Sequence, residues 1–266
     1  MHPQTPIAQT AKRTPPAWLR ALGRADLPRD VRFGEGRFRH VQTLKHDFFA
    51  ATGLYEGPSG RIIYKMGRTA RLFGLPMSWL GRLSAQHEAR MYQLLADVPG
   101  VPAFIGRLGP TGFAHACIEG RPLGKNDRVD DAFFPTLERL LAAVHAHDVA
   151  YVDLEKRENI LIGDDGRPWL IDFQISWHVP ANRGGRLPAA RAVLRLLQQA
   201  DLYHLAKHVR RQRPDLAAAQ GSNVPGLPWW IGLHRRLFSP LTRLRRRVLV
   251  LLGARQTSHR SQPTSA

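Results

Sequence analysis

Two carboxylates and one amide occur close together in the segment YVDLEKRENILIGDDGRPWLIDF, residues 151–173. These side chains belong to Asp153, Asn159 and Asp172. Carboxylate and amide oxygens are the ligands that hard divalent cations prefer. Because unpaired carboxylates are costly beside an apolar core, their position next to apolar residues requires an explanation. The residue types predict a divalent-cation site if the fold brings all three together.

A short hairpin is the element expected to bring these residues together. Ile160–Ile162 and Trp169–Ile171 are short β-rich runs, and Asp165-Gly166 between them is a strong hairpin-turn signal. An antiparallel hairpin places the residue before its first strand beside the residue after its second strand. We therefore expect Asn159 and Asp172 to meet, with Cα atoms roughly 5 Å apart in a regular register. The alternative is that Asp172 only caps the end of the hairpin.

Length and composition indicate a globular protein of one large domain or two lobes. The chain has 266 residues, of which 43% are hydrophobic. Its single cysteine, Cys117, excludes an internal disulfide framework and a cysteine-rich zinc site, and it suits a reducing compartment. Residues 1–30 lack the apolar core of a secretory signal, and no apolar run approaches the roughly 18 residues of a spanning helix. We expect a cytoplasmic protein, either soluble or peripheral on the inner face of the membrane.

Positive charge is concentrated toward the C-terminus. The net charge is +18, and no acidic residue follows Asp215, whereas six arginines occur between Arg235 and Arg247. Such a segment favours an anionic partner, which could be nucleic acid, acidic phospholipid or a phosphorylated glycolipid. The segment Leu233–Leu252, preceded by Trp229-Trp230, is predicted to be an amphipathic helix that either lies on anionic lipid or packs on the rest of the protein. A solvated arginine-rich tail is the alternative to a binding segment.

The remaining elements predict two lobes of different character. Strands dominate before the break at residues 119–122, and helices dominate after it. The predicted strands are Val41–Lys45, Phe48–Tyr55, Arg61–Met66, Ala103–Leu108 and Phe113–Ile118, and the predicted helices are Ser78–Val98, Phe133–His147 and Ala189–Arg211. We predict four regions, which are a poorly ordered arm (1–40), an N-lobe (41–118), a C-lobe (119–215) and a basic extension (216–266).

Three stretches around the hairpin resemble the catalytic loop and the metal-binding loop of the protein-kinase-like superfamily. They are Asp153-Leu154, Asn159-Ile160-Leu161 and Leu170-Ile171-Asp172-Phe173. The upstream order also agrees, with a β-hairpin, a strand bearing Lys65, a helix bearing Glu88 and a hinge at Glu119-Gly120. The resemblance covers roughly residues 41–210 and is nearer to the RIO and lipopolysaccharide-kinase branches than to eukaryotic kinases. It implies an α+β fold of two lobes, with an antiparallel sheet plus one helix in the N-lobe and a mostly helical C-lobe.

The resemblance also implies ATP and Mg2+ as cofactors. Phosphoryl transfer needs charge neutralisation and positioning more than covalent help from the protein. By resemblance, Lys65 pairs with the α- and β-phosphates, and Glu88 holds Lys65 through an ion pair. Asp172 and Asn159 bind the metal ions. From the residues alone, Lys65 could instead be an edge-strand lysine that guards against aggregation.

Five further residues receive roles by resemblance or by position. Asp153 accepts the proton of the attacking hydroxyl or orients it, and Lys156 reaches the transferring γ-phosphate. Lys45 covers the phosphates together with backbone amides, and backbone groups near Glu119 bind adenine. His145, on the apolar side of its helix, is interpreted as a structural histidine rather than a base.

The sequence departs from the superfamily pattern in several places. From Asp153 to Asn159 is six positions, where the common protein-kinase loop has five, and this affects Lys156 most. The metal-binding loop has Gln174 in place of Gly, and no GxGxxG precedes the strand of Lys65. No Ala-Pro-Glu follows, and residues 178–187 are too short for a usual activation segment. This argues against a conventional protein-substrate groove.

These observations predict an ATP-dependent kinase whose acceptor is a hydroxyl. A sugar of a membrane glycolipid such as the lipopolysaccharide core is the first expectation, and a RIO-like serine/threonine protein kinase is the alternative. A pseudokinase adaptor that binds nucleotide without catalysis is the alternative from another class. Degenerate members usually lose one of five residues, and all five are present here: Lys65, Glu88, Asp153, Asn159 and Asp172. A nucleic-acid binder is supported by charge alone.

Overall fold

The chain folds into a strand-rich N-lobe and a mostly helical C-lobe. The computed structural model describes residues 16–180 and 187–219. An antiparallel sheet and one long helix make up most of the N-lobe, and two long helices with short strands make up the C-lobe. Within the described residues, none of the helices has the length and apolar character needed to cross a membrane.

The N-lobe is built on a six-stranded antiparallel sheet. Its strands are β1 (Asp30–Phe33), β2 (Gly36–His46), β3 (Ala50–Gly57), β4 (Gly60–Gly67), β5 (Phe104–Leu108) and β6 (Gly112–Ala116), in the order β1-β2-β3-β4-β6-β5. Alternate side chains, among them Phe38, Ile62 and Tyr64, are buried in one apolar cluster. A slip of one residue would turn this cluster toward solvent, so its burial fixes the register of β4.

The sheet begins earlier in the chain than the sequence predicts. Residues 30–40 form β1 and the start of β2, where we predicted a poorly ordered arm up to residue 40. Val31 and Phe38 are each only 2% exposed, so burial in the N-lobe core holds this hairpin. The many arginines around these two residues obscure the apolar alternation in the sequence. Residues 1–15 lie outside the described part of the chain.

Helix α1 (Ser78–Leu94) packs closely against the end of β4. A Cβ atom at Gly81 would overlap the backbone carbonyl of Arg68, and one at Gly67 would overlap the carbonyl of Gly81. Any larger residue at these positions would push the helix away from the sheet. The two glycines therefore set the distance between α1 and β4.

The C-lobe contains the predicted hairpin and the remaining helices. Its helices are α2 (Phe133–Ala146), α3 (Pro188–Gln212) and α4 (Pro214–Ala219). Its strands are β7 (Gly120–Pro122), β8 (Val149–Ala150), β9 (Ile160–Gly163), β10 (Pro168–Leu170) and β11 (Trp177–His178). They form a sheet of order β10-β9-β7 and a separate pair of β8 with β11. The ends of α1, α2 and α3 differ from the predicted ends by little more than one turn.

One apolar core continues from α1 into the C-lobe. Tyr92 of α1 packs edge-on against Phe173, with ring centroids 5.2 Å apart, and Phe173 packs in the same way against Tyr151 at 5.1 Å. All three rings are fully buried and belong to one cluster with α2 and part of α3. This core lies directly beside Asp172 and supports the residues around it.

The basic C-terminal extension lies almost entirely outside the described residues, which end with α4 at Ala219. The predicted helix Leu233–Leu252 and the pair Trp229-Trp230 belong to that part of the chain. Their roles stay predictions.

Candidate active site

The ammonium group of Lys65 joins the two lobes. Lys65 lies on β4, and its Nζ is 2.7 Å from a carboxylate oxygen of Glu88 on α1 and 2.8 Å from Oδ1 of Asp172. The side chains of Lys65 and Glu88 are 12% and 2% exposed, so their contact is almost shielded from water. The fold thus brings together three predicted site residues from β4, α1 and the segment after β10.

Burial and charge act against each other in this group. Burial would lower the pKa of Lys65, but Glu88 and Asp172 raise that pKa above its ordinary value, so the group stays an ammonium. Burial raises the pKa of Glu88 to about 7, although the neighbouring Lys65 opposes the increase. Burial also opposes the ionisation of Asp172, but Lys65, Lys45 and Lys156 bring its pKa below the usual range. Asp172 therefore stays charged, and Glu88 titrates near neutrality.

Asp172 leaves the hairpin differently from the sequence prediction. The register of β9 and β10 places Asn159 opposite Ile171, and the Ile171 N–H donates to the Asn159 carbonyl at 3.1 Å. The predicted pairing of Asn159 with Asp172 is therefore wrong by one position. Asp172 adopts a left-handed φ of 63°, which Asp tolerates, and its N–H donates to the Tyr92 hydroxyl at 3.2 Å. At this left-handed residue the chain leaves the strand direction, and the Asp172 carboxylate contacts Lys65.

A second polar group forms in the loop before the hairpin. Asn159 Nδ2 donates to Oδ2 of Asp153 at 2.8 Å, and Lys156 Nζ donates to the same oxygen at 2.6 Å. Asp153 and Asn159 are buried, whereas the Lys156 side chain is 58% exposed. A short 3-10 turn, Arg157–Asn159, accommodates the longer spacing of this loop. The loop therefore still gathers all three predicted residues.

The predicted metal ligands contact protein groups in this structure. Asn159 contacts Asp153, and Asp172 contacts Lys65. Among residues 16–180 and 187–219, no three His, Cys, Asp or Glu side chains form a group that could hold a metal ion. Mg2+ in nucleotide sites is usually bound by one or two carboxylates together with substrate phosphates. The oxygen donors of Asn159 and Asp172 fit that kind of shared site.

A buried acid that the sequence analysis missed holds the backbone just before Asp153. Asp201 of α3 is fully buried, and its carboxylate oxygens accept the N–H groups of Tyr151 at 2.7 Å and Val152 at 2.8 Å. Val152 has a left-handed φ of 71°, a costly conformation for a β-branched residue. The ring of His145 also contacts Asp201 at 3.1 Å, which agrees with the predicted structural role of this histidine. The available signal was the place of Asp201 in the apolar stripe of α3, because a lone acid at a core position needs partners.

Lys45 faces the same side of the sheet as Lys65. Thr52 of β3 pairs directly with both lysines, and directly paired residues project from the same face of a sheet. Lys45 Nζ forms an ion pair with Asp47 at 2.9 Å. The turn after β2 contains no glycine, and Asp47 Oδ1 accepts two backbone N–H groups of that turn at 2.8 and 3.0 Å. A carboxylate therefore shapes the turn predicted to cover the phosphates.

Glu119 lies at the connection between the lobes, and its carbonyl and its carboxylate each bond to another residue. Its carbonyl accepts the N–H of Asp164 at 3.0 Å, and its carboxylate pairs with Arg61 at 3.3 Å. Burial raises the pKa of the nearby Cys117 thiol. A cavity opens beside this connection and is lined by Cys117, Ile118, Glu119, Gly163, Asp164, Asp165 and Trp169. The adenine contact of the Glu119 backbone stays a prediction.

Comparison with solved structures identifies the fold. The chain is similar to the Rio2 kinase of Chaetomium thermophilum in its ADP/Mg2+-phosphoaspartate complex, with a TM-score of 0.50 and 17% identity over 74% of this chain and 59% of that chain. For another structure of Rio2 kinase from the same organism, the TM-score is 0.47 and the identity 15%, over 74% of this chain and 65% of that chain. The chain therefore spans less than two thirds of the length of these solved chains. No family model and no curated protein matches the sequence.

The first of these comparisons confirms a two-lobed protein-kinase-like fold, with an antiparallel sheet and one helix in the N-lobe. The similar structure is that of a RIO kinase, and at 17% identity the likeness concerns the fold alone. The predicted resemblance to the lipopolysaccharide-kinase branch has no support from these comparisons.

Proposed function

We propose that this protein is a kinase that transfers the γ-phosphate of Mg-ATP to a hydroxyl group. The observation that carries the proposal is the buried ammonium of Lys65, held by Glu88 on one side and Asp172 on the other. A fixed cation beside a metal-binding carboxylate is the arrangement that phosphoryl transfer requires. The Rio2 kinase of similar fold was solved with ADP/Mg2+, which supports the same type of nucleotide and metal here.

Each residue of the second polar group has a role in this proposal. Asp153 accepts the proton of the attacking hydroxyl or orients that hydroxyl, because its carboxylate is held beside Asn159. Lys156 has a long, exposed side chain, so it can exchange its contact with Asp153 for one with the γ-phosphate. Asn159 and Asp172 provide oxygen ligands for Mg2+, which neutralises charge on the phosphates.

Lys45 and the connection at Glu119 complete the proposed nucleotide site. Lys45 lies on the cleft side of the sheet with Lys65, and the Asp172 carboxylate contributes to raising its pKa, after Asp47. We expect Lys45 to exchange Asp47 for a phosphate when nucleotide binds. Backbone groups around Glu119 contact adenine in this arrangement.

Two classes of acceptor follow from different observations. Among the described residues between Asp172 and the start of α3 at Pro188, only the short strand β11 forms, and this short stretch of chain leaves little polypeptide for docking a protein substrate. This favours a small or lipid-linked hydroxyl such as a glycolipid sugar, including a sugar of the lipopolysaccharide core. The similarity to Rio2 kinase favours serine or threonine in a protein instead. For both classes we place the reaction on the cytoplasmic side of the membrane, where ATP is supplied.

A nucleotide-binding adaptor without catalysis is the competing function. It gains no support from the site, because the acid Asp153, which an adaptor does not need, has an intact set of partners. A nucleic-acid binder, the third possibility, predicts an affinity that falls steeply with salt and is unchanged by Lys65→Ala.

Turnover of Mg-ATP by the full chain tests the proposal. Asp172→Asn should lower turnover on the order of 10²- to 10³-fold, because it removes a metal ligand and the partner of Lys65. Asp26→Asn is the control, since Asp26 is an exposed acid outside the proposed site. Binding of Mg-ATP with no turnover, unchanged by Asp172→Asn, would establish the adaptor instead.

The acceptor class is tested in cells with and without the gene. Labelled phosphate should disappear from a glycolipid fraction if the acceptor is a sugar hydroxyl. Loss of label from protein serine or threonine would establish the alternative acceptor.

A further inference from the structure

A row of apolar side chains is exposed on the loop between β4 and α1 and on the outer side of α1. Phe73 is 82% exposed, Leu75 66%, Trp79 56% and Leu83 57%. We call these four residues the α1 face. Trp79 and Leu83 are four positions apart and therefore lie on one side of the helix. Exposed apolar groups of this extent mark a binding surface.

The loop that carries Phe73 is a tight, ordered turn. The N–H of Leu72 donates to the carbonyl of Leu75 at 3.0 Å, and the N–H of Leu75 donates back at 2.9 Å. Phe73 and Gly74 between them have φ values of 48° and 82°. Two successive left-handed residues are typical of a type I′ turn, in which Asn or Gly is usual and a bulky aromatic is costly. Backbone strain that presents an aromatic ring to solvent indicates a functional constraint.

A buried arginine fixes this turn to the body of the N-lobe. Arg68 is fully buried, and its guanidinium donates to the carbonyls of Trp18 and Phe48, each at 2.9 Å. It also lies over the Phe48 ring, 4.1 Å from the centroid. The Trp18 ring in turn contacts Phe73, with centroids 5.7 Å apart. The turn is therefore a projecting and supported tip rather than a groove.

The exposed charges in the stretch of chain that carries the α1 face are all positive. Arg71, Arg82 and Arg90 are exposed in the same stretch of chain. The only carboxylate between Arg68 and Arg90 is Glu88, which is 1% exposed and bound by Lys65. An anionic partner would meet no exposed carboxylate from this segment.

We propose that the α1 face docks on an anionic phospholipid bilayer. A projecting tip with Phe and Leu at its end and Trp beside it suits the boundary between lipid headgroups and acyl chains. Arginines beside these residues suit phosphate headgroups. A second copy of this chain would bring the same positive charge to the interface, so its docking here is opposed electrostatically.

The α1 face leads toward the candidate active site. One helical turn after Leu83, the ring of His87 contacts the carbonyl of Ser176 at 3.0 Å. Ile175 and Trp177 on either side of Ser176 are 53% and 48% exposed. The Cα of Ile175 lies within about 11 Å of the Cα of Asp172, because they are only three positions apart in the chain. Docking would place the membrane near the proposed acceptor site. The docking itself does not require phosphoryl transfer.

Vesicle binding without nucleotide tests this proposal. The full chain should bind vesicles of phosphatidylglycerol and phosphatidylcholine and bind pure phosphatidylcholine more weakly. The double substitution Phe73→Ser/Leu75→Ser should weaken binding to the anionic vesicles on the order of 100-fold, because two large apolar side chains no longer enter the membrane. Val41→Ser/Ile105→Ser is the matched control, since both residues are exposed apolar residues elsewhere in the N-lobe, and it should bind as the unaltered chain does.

An environment-sensitive dye on Phe73→Cys, in a Cys117→Ser background, reports insertion directly. Its emission should shift to the blue when anionic vesicles are added. Equal vesicle binding by the Phe73→Ser/Leu75→Ser variant and the control would overturn the proposal and assign lipid binding to another part of the chain. A dye that is already blue-shifted without vesicles would also overturn it, because the face would then be covered by the chain itself.

Discussion

The two lobes hold their halves of the candidate site in different ways. In the N-lobe, Lys65 and Glu88 are held by the attraction of two buried, opposite charges on β4 and α1. In the C-lobe, Asp153 follows a backbone segment that is fixed by hydrogen bonds to the fully buried Asp201. The N-lobe arrangement depends on the protonation state of Glu88 and on the presence of both charged side chains. The second depends on the shape of a loop.

Asp172 is the place where the two arrangements meet. Its carboxylate bonds to Lys65, and its backbone N–H bonds to Tyr92, whose ring is in the shared core. A substitution of Lys65 or Glu88 should therefore alter both the net charge of the site and the free energy of unfolding. A change at Asp201 should alter the position of Asp153 while leaving the charges around the phosphates in place.

Removal of the Lys65 cation should have the largest effect. Lys65→Met should lower Mg-ATP turnover on the order of 10³-fold, because phosphate charge is no longer neutralised at this point. It should also lower the free energy of unfolding at pH 8 by about 3–5 kcal/mol, since buried carboxylates lose their partner. Turnover assays and urea unfolding measure the two effects.

A second substitution separates charge from packing in the Lys65 experiment. Lys65→Met/Glu88→Leu should recover most of the lost stability and none of the lost activity. Arg37→Met, which removes an exposed ion pair with Asp30, is the control and should change neither. If the double variant were as unstable as Lys65→Met alone, the attraction between Lys65 and Glu88 would not be what stabilises the N-lobe part of the site.

Loss of the Asp201 carboxylate should have the next largest effect. Asp201→Asn replaces one of the two acceptor oxygens by an NH2 group, which cannot accept a hydrogen bond, so the N–H of either Tyr151 or Val152 loses its partner. We expect kcat to fall about 10- to 100-fold, because a small displacement of Asp153 misaligns the attacking hydroxyl. The Kd of Mg-ATP should be unchanged, and the free energy of unfolding should fall by about 1–3 kcal/mol.

Asp215→Asn is the control for the Asp201 experiment, since Asp215 is an exposed acid in the helix that follows. A weaker Kd for Mg-ATP with kcat unchanged would show that Asp201 does not position Asp153.

The pH dependence should show the smallest effect. Burial raises the pKa of Glu88 to about 7. Its ion pair with Lys65 is therefore lost as pH falls below about 7, and turnover should rise severalfold between about pH 6 and pH 8. Stability has the opposite sign, because a raised acid pKa contributes stability below the unfolded-state pKa that is lost as pH rises through about 7.

Glu88→Gln should remove the rising limb of the turnover profile near pH 7 and leave a lower, flatter profile. An unchanged limb in this variant would assign the titration to another group.

The charged residues of the candidate site were predictable from the sequence, but the register of the hairpin that carries Asp172 was not. Lys65, Glu88 and Asp172 occur in recognisable surroundings, and the fold brings them into contact. The pairing of Asn159 with Asp172 was wrong by one position, because the turn pairs Pro168 rather than Trp169 with Ile162 and so sets the register of the whole hairpin. The left-handed conformation of Asp172 was not predicted either, since alternation and turn signals cannot show its N–H bond to the Tyr92 hydroxyl of another element.

Two further features depend on contacts between distant parts of the chain. The hairpin of β1 and β2 is stabilised by burial of Val31 and Phe38 in a core that includes residues of β3, β4 and β6, which come later in the chain. The role of Asp201 depends on backbone groups some fifty residues earlier in the chain. Neither relation leaves a local pattern in the sequence.

The turn after β2 is held in its shape by one of its own side chains. Asp47 accepts the N–H groups of Phe49 and Ala50, and no glycine lies between His46 and Ala50. Under the proposed function, little conformational entropy is therefore left for this turn to lose when a phosphate binds beneath it. A turn with so little freedom also adapts poorly to triphosphates of another shape. In the proposed kinase, such a turn favours selection of one nucleoside triphosphate over acceptance of several.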